Sequence, residues 1–318
     1  MAGSSKIAIY GAIAANSAIA VCKFIAAGFT GSSAMMSEGI HSLVDTGNGI
    51  LLLFGIRRGQ QAPDEKHPFG YGNEIFFWSF VVALMIFALG GGIAIYEGIQ
   101  HLLHPRELKG VHWNYVVLIL AMAFEGAALK VALSEFKKSR GDRPFFRALR
   151  DSKDSTTVAV VIEDSAALFG LIIAFLALLA YQLTGWVYFD GLGSVLIGVL
   201  LVSVALFFAA ECKALLIGEG LLPEKVELIT EILEEDPRVA SFRRPLSLYF
   251  GPNEVLVNLD VNFVDDLTSD EIEQAIDTIE TEIRQAVPAV NRIFIEAETL
   301  VANRSSKAQP ATEQGEEH

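Results

Sequence analysis

The sequence has little charge for its length of 318 residues. Charged residues make up 19% of it and apolar residues 52%, whereas a soluble domain carries about 25% charged residues. Cysteine is scarce as well, since only Cys22 and Cys212 occur, far apart and each beside an apolar run. Two such cysteines exclude a disulfide framework and a Cys-rich zinc site. The composition therefore disfavours an ordinary soluble enzyme.

Basic residues are in the minority, and the sequence has no basic stripe. The net charge is −14, and it arises in the last hundred residues, because residues 219–318 carry 22 acidic and 8 basic side chains while the first 218 residues carry 16 of each. Such a chain offers no surface to a phosphate backbone. We therefore exclude nucleic acid as a partner.

Long apolar stretches are what the sequence has in abundance. Each is close to the ~20 residues with which a helix crosses a bilayer. Buried helices of a large soluble protein would be shorter and would carry a polar stripe. The pattern thus predicts an integral membrane protein, surrounded by lipid, with six transmembrane helices at roughly Ile7–Phe29, Ser33–Ile56, Ile75–Tyr96, Trp113–Leu133, Val158–Tyr181 and Val187–Ala209.

The loops between these stretches predict the orientation in the membrane. Lys and Arg concentrate in the second and fourth connections, for example Arg57, Arg58 and Lys66, and are missing from the first and fifth. Basic loops stay in the cytoplasm, so both termini are expected there. The first residues resemble no cleavable leader. We expect a multi-pass protein of a bacterial inner (plasma) membrane.

After Ile217 the sequence changes to the alternating helix and strand patterns of a soluble domain. Helical spacing at Pro223–Glu235 and Thr268–Ala286 alternates with strand patterns at Ser247–Phe250, Val255–Phe263 and Asn291–Glu296, which predicts a two-layer α+β domain of the αββαβ, ferredoxin-like kind. The predicted organisation is a transport domain at 1–217, a cytoplasmic dimerisation domain at 218–302 and a disordered tail at 303–318.

Ionisable residues inside the apolar stretches mark the functional site, because each is expensive in lipid unless it faces a partner or a cavity. The second span carries Glu38, His41, Asp45 and Asn48, which fall within roughly 80° of one another on a helix and form one polar stripe. His41 and Asp45 are one turn apart, so an imidazole and a carboxylate can close on one ion.

Carboxylates on two other spans complete this candidate site. Glu163 and Asp164 lie in the fifth span and Glu125 in the fourth. One imidazole with two or more carboxylates suits a divalent transition metal. Glu38 and Glu125 are equally well explained as hydrogen-bonding partners between helices, whereas His41, Asp45 and Asp164 together favour a cation.

The run Ser37-Glu38-Gly39-Ile40-His41-Ser42-Leu43-Val44-Asp45 resembles the second-helix signature of the cation diffusion facilitators. The loop from Pro63 to Glu74 is similar to the cytoplasmic loop of that family, and six helices followed by an αββαβ domain extend the resemblance to about residue 300. His41–Thr46 and Ile162–Ala167 are most similar to the zinc transporter 9-like branch.

The resemblance implies a homodimeric exporter of zinc or a related ion, coupled to protons. It places two metal ligands on the second helix and two, one turn apart, on the fifth; His41, Asp45 and Asp164 match three of these, while Val160 occupies the fourth position. The fourth ligand is then water, Glu163 or Asn48. Asp64 and His67 remain as a weak second site, because Tyr71 replaces the histidine that many members have in that loop.

The expected function is therefore secondary active transport without a cofactor. The substrates are protons and a divalent cation, with Zn²⁺ as the expected ion. Mn²⁺, Fe²⁺, Co²⁺ or Cd²⁺ also accept mixed nitrogen and oxygen ligands. From other classes, an intramembrane metal-dependent hydrolase would need a rigid site with a separate base, and a sensory membrane protein would act through its acidic domain.

Overall fold

The structure, a computed structural model, describes residues 2–105, 107–108, 110–140 and 144–297, with the backbone alone for residues 2–15 and 138–140. The chain forms two compact units. One comprises the residues up to Glu219 together with Phe250–Pro252, and the other comprises Gly220–Tyr249 and the residues from Asn253 onward. The predicted disordered tail at 303–318 lies outside the described residues.

The first unit is a bundle of long apolar helices. Within the described residues, five helical stretches are long and apolar enough to cross a membrane, and the described part of a further helix, Asn16–Thr30, is apolar too. The predicted membrane-spanning helical fold is confirmed. In chain order the elements are α1 (Ala2–Thr30), α2 (Ser33–Gly59), α3 (Asn73–Met85), a π-helical segment (Ile86–Gly92), α4 (Ile93–Leu103), α5 (Val111–Arg140), α6 (Phe145–Asp151), α7 (Ser155–Thr184) and α8 (Tyr188–Ile217).

Local side chains fix where the two site-bearing helices begin. The Ser32 hydroxyl accepts a hydrogen bond from the backbone N–H of Met35 at the start of α2, and the Asp154 carboxylate accepts one from the N–H of Thr157 at the start of α7. Such caps satisfy backbone donors that a helix leaves unpaired at its first turn. Gly185 ends α7 in the left-handed conformation, which glycine adopts without a Cβ penalty.

The third membrane-spanning stretch is not the uninterrupted α-helix that its sequence predicts. Seven residues, Ile86–Gly92, widen into a π-helical segment between α3 and α4, a feature often found at functional positions. A glycine in α4 allows this helix to lie close to α8. A Cβ on Gly98 would lie 2.7 Å from the backbone nitrogen of Val195 and 2.8 Å from the carbonyl oxygen of Gly191. Gly91 approaches α8 of the same chain in the same way.

A short helix that the sequence pattern did not reveal lies between the fourth and fifth spans. α6 covers Phe145–Asp151 and buries Ala148 and Leu149 while Phe146 remains exposed. Its seven residues are too few to show a hydrophobic period among the basic residues of that connection.

The second unit contains α9 (Pro223–Glu235), β1 (Val239–Phe242), β2 (Leu246–Gly251, up to Tyr249), β3 (Glu254–Phe263), α10 (Ser269–Ala286) and β4 (Val290–Ala297). The predicted αββαβ order is present, with β1 as an additional strand that the sequence analysis missed. β3 is central: it pairs with β1 in antiparallel and with β4 in parallel orientation. Parallel neighbours need a crossover connection, which α10 supplies.

The core of this unit lies between the sheet and the helices. Alternate residues of β3 are buried, from Val255 to Phe263, as expected for a strand with one covered face. Ile229 of α9 and Ile279 of α10 are fully buried, and α10 packs against both α9 and β4. A capping box formed by Thr268 and Glu271 starts α10.

Candidate metal centre

The polar stripe of α2 is buried, as the sequence predicts. Glu38, His41 and Asn48 are almost completely inaccessible, and the Asp45 side chain is 13% exposed. They share one helix face because they are spaced by three or four residues. The apolar residues of α2 and its neighbours therefore enclose a line of four polar side chains within the membrane-spanning bundle.

His41 and Asp45 are brought together. Nδ1 of His41 lies 3.4 Å from Oδ1 of Asp45. Neither nitrogen of His41 makes a hydrogen bond among the described residues, and the same is true of Asp45 Oδ1 and Asn48 Oδ1. Buried polar atoms are hydrogen-bonded in the large majority of cases, and exceptions call for an explanation such as a bound ion.

Asn48 joins the stripe of α2 to α7. Its amide Nδ2 donates a hydrogen bond of 2.9 Å to Oε1 of Glu163, which is buried. Asp164, the next residue, is only partly buried. Val160, one turn before Asp164, is 38% exposed and contributes no donor atom. Glu163 is one of the three alternatives for the fourth ligand. The structure connects it to the polar stripe of α2 through Asn48.

The carboxyl groups around Asp45 form one cluster. Asp45 interacts electrostatically with Glu163, Glu125 and Asp164, and Asp164 also interacts with Glu125. Among the described residues no three His, Cys, Asp or Glu side chains are already gathered as a coordination shell. The predicted ligands therefore share one buried region, and the ligand set His41, Asp45 and Asp164 with Glu163 or Asn48 stays a prediction.

A fully buried lysine lies beside this cluster. Nζ of Lys23 in α1 donates to Oε2 of Glu38 at 3.1 Å and to the hydroxyl of Ser42 at 2.7 Å. The sequence does not specify Glu38 as the partner of Lys23, because the two residues lie on different helices. The composition of α1 gave one signal, a single Lys in the middle of an apolar run, which in lipid demands a partner.

The loop between α2 and α3 brings together the residues of the predicted weak second site. His67 Nδ1 lies 3.4 Å from Asp64 Oδ1, and both side chains are exposed. Asp64 is already engaged, because the Tyr71 hydroxyl donates to it at 2.6 Å and the backbone N–H of His67 donates at 2.7 Å. These donors lower the pKa of the Asp64 carboxyl and keep it charged.

Comparison with known proteins identifies relatives of this chain. A sequence model described as the cation efflux transmembrane domain matches residues 9–217. The mouse proton-coupled zinc antiporter SLC30A9, mitochondrial, is 36% identical over 263 residues, which are 82% of this chain and 46% of the relative. Metal tolerance protein C4 from Arabidopsis thaliana is 34% identical over 73% of this chain and 51% of the relative.

A bacterial relative aligns over nearly its whole length. The cation-efflux pump FieF of Klebsiella pneumoniae is 24% identical over 307 residues, which are 96% of this chain and 94% of the relative. By contrast, the chain spans about half the length of the SLC30A9 and C4 relatives that it matches.

Proposed function

Because the chain belongs to the cation diffusion facilitator family, in its zinc transporter 9-like branch, we propose that it is a proton-coupled exporter of divalent transition cations with Zn²⁺ as the principal substrate. The observation that carries this proposal is the buried stripe of α2, where both ring nitrogens of His41, Oδ1 of Asp45 and Oδ1 of Asn48 make no hydrogen bond within the described part of the chain. A cation substrate would satisfy these atoms during each transport cycle.

His41, Asp45 and Asp164 are the ligands in this proposal, and Glu163 is the fourth. The hydrogen bond from Asn48 supports the choice of Glu163, because it holds that carboxylate against the same face of α2 that carries His41 and Asp45. One imidazole and three carboxylates suit zinc, although Mn²⁺, Fe²⁺, Co²⁺ and Cd²⁺ accept similar shells.

Proton coupling follows from the chemistry of these ligands. A carboxylate or an imidazole must be deprotonated to bind the metal, so loading releases protons and release of the ion allows protons to return. The ligands themselves would then carry the protons in antiport. The zinc antiporter relatives bear "proton-coupled" in their names, which supports this for them and motivates it here.

Uptake of metal by the purified protein in liposomes tests the transport claim. Asp45→Ala and Asp164→Ala should each abolish Zn²⁺ flux while the protein still folds, and His41→Asp should retain flux but shift preference toward harder ions. Glu224→Ala, an exposed carboxylate in α9, is the matched control and should leave flux unchanged. Absence of flux for every divalent ion tried would refute the proposal.

A second measurement addresses the coupling separately. Acidifying the side toward which the metal moves should accelerate flux if protons return through the vacated site. A flux that does not respond to the proton gradient would instead indicate a uniporter. Parallel uptake curves for Zn²⁺, Mn²⁺, Fe²⁺, Co²⁺ and Cd²⁺ determine the preferred ion.

We further propose a homodimer in a bacterial plasma membrane, with the second unit in the cytoplasm and export directed away from it. The near full-length alignment with FieF supports the bacterial setting. Phe294 of β4 and Leu246 of β2 are 50% and 65% exposed, and self-association through the second unit would cover such apolar side chains. A monomer in light scattering at physiological salt would contradict the dimer.

A further inference from the structure

A cavity of about 390 Å³ lies at the end of the helical bundle where α1 turns into α2. The turn residues Gly31 and Ser32 line one side of it, and the other side is lined by Glu97 and His101 of α4 and by His104, which follows that helix. This end is opposite to the α2–α3 loop, because α2 runs from Ser33 at the cavity to Gly59 at that loop. The metal centre proposed above lies along α2 between the two ends.

His101 is the unusual member of the cavity wall. The residue is only 8% exposed, and neither ring nitrogen makes a hydrogen bond among the described residues. Burial of an imidazole without a hydrogen-bond partner costs free energy, because the lost hydrogen bonds to water are not replaced. Its position on the wall of a cavity that opens to the membrane surface means that a ligand can reach it.

Asp190 at the start of α8 faces His101. Its Oδ2 lies 3.4 Å from Nδ1 of His101. The same carboxylate accepts hydrogen bonds from the Ser32 hydroxyl, from the Ser33 hydroxyl at 2.8 Å and from the backbone N–H of Ser33 at 2.6 Å. Asp190 is therefore anchored at the positive end of α2, with its charge directed at one nitrogen of His101.

The arrangement is close to that of metal-binding histidines. In those sites a carboxylate accepts a hydrogen bond from one ring nitrogen, which orients the imidazole and leaves the other nitrogen available to a metal. Glu97 and His101 are four residues apart and share one face at the end of α4, and His104, which directly follows the last residue of that helix, lines the same cavity. A carboxylate and two imidazoles form a ligand set for a divalent transition cation.

We propose that Glu97, His101 and His104 form an additional binding site for divalent transition cations at the membrane face opposite to the α2–α3 loop, with Asp190 as the positioning residue of His101. The described residues hold no gathered ligand shell here, so Glu97 and His104, which are more exposed than His101, would have to turn toward it to bind the ion. The ion binds at this site on its way between the buried centre and the solvent. This inference depends on the proposed function only for the direction of travel.

Zinc binding to the full chain in detergent, measured by calorimetry, tests the site. The buried centre is first removed by Asp45→Ala together with Asp164→Ala, and Zn²⁺ is then titrated into this background. Adding His101→Gln removes a ligand and should weaken the remaining binding at least about tenfold, since loss of a residue that only supports a ligand already costs about that much. Adding Glu97→Gln at the cavity mouth should weaken it as well, without the risk of disturbing a buried residue.

The matched control is His112→Gln. His112 is an exposed histidine at the start of α5 on the same side of the bundle and does not line the cavity, so its change should leave the affinity as it was. Binding that is insensitive to both His101→Gln and Glu97→Gln would overturn the inference. Equal weakening by His112→Gln would overturn it too, since the metal would then be held by scattered surface histidines.

Flux in liposomes separates this inference from the proposed function. If an otherwise unmodified chain carrying His101→Gln shows normal Zn²⁺ flux and the calorimetric site is unaffected, the inference fails and the proposed function stands. If the unmodified protein transports no divalent ion while His101→Gln still removes a zinc site, the proposed function fails and the binding site at His101 stands.

Discussion

The buried ion pair between Lys23 and Glu38 gives the strongest prediction for stability. Nζ and Oε2 are 3.1 Å apart and both side chains are 0% exposed. At an effective dielectric constant of about 20 their attraction is about 5 kcal/mol. Each ion lost several kcal/mol of hydration on burial. The pair as a whole is thus close to neutral, while each partner alone is costly.

Lys23→Met should therefore destabilise the protein by about 3–5 kcal/mol, because it leaves the Glu38 carboxylate buried and uncompensated. Glu38→Gln should do the same for the Lys23 ammonium, although Ser42 still accepts one of its hydrogen bonds. The double variant should lose less than either single variant. The free energy of unfolding, measured by SDS titration in mixed micelles and followed by circular dichroism, gives these values.

The control for this prediction is an ion pair near the membrane surface. Arg58 and Glu74 are 3.5 Å apart with 41% and 26% of their side chains exposed, so Arg58→Met should cost less than about 1 kcal/mol. If Lys23→Met costs no more than Arg58→Met, or if the double variant loses the sum of the two single losses, the interaction assigned to Lys23 and Glu38 is wrong.

Three further predictions test the packing, a helix cap and an ion pair. Gly98→Ala should cost about 1–3 kcal/mol because its Cβ meets backbone atoms of α8, whereas Gly126→Ala, with no atom within 4 Å of its Cβ, should not; SDS unfolding compares them. Thr268→Ala should cost about 1 kcal/mol by removing the cap of α10, and Thr268→Ser should restore it in thermal unfolding. The hydrogen bonds from Arg238 lower the pKa of Asp236 from its ordinary 3.8. The stability that they give the folded protein is therefore complete at neutral pH and is lost as the pH falls through the lowered pKa. Unfolding curves of the protein and of Asp236→Asn should converge in acid.

The sequence alone determined the membrane fold and the presence of a polar stripe. Apolar stretches of about 20 residues have one stable arrangement in lipid, because a helix satisfies its own backbone hydrogen bonds. The spacing of Glu38, His41, Asp45 and Asn48 places them on one face of any α-helix. Alternation in β3 and the Thr268 cap of α10 are equally local signals, and the predicted strands and helices of the second unit followed from them.

Only the tertiary structure decided which side chains meet across helices. Lys23 pairs with Glu38, Asn48 with Glu163 and His101 with Asp190 through contacts between residues 15, 115 and 89 positions apart. Helical periodicity gives the face on which a residue lies but not the rotation or depth of the neighbouring helix. The close approach of α4 to α8 at Gly98, and with it the cavity beside His101, depends on that packing and has no signature in a single stretch of sequence.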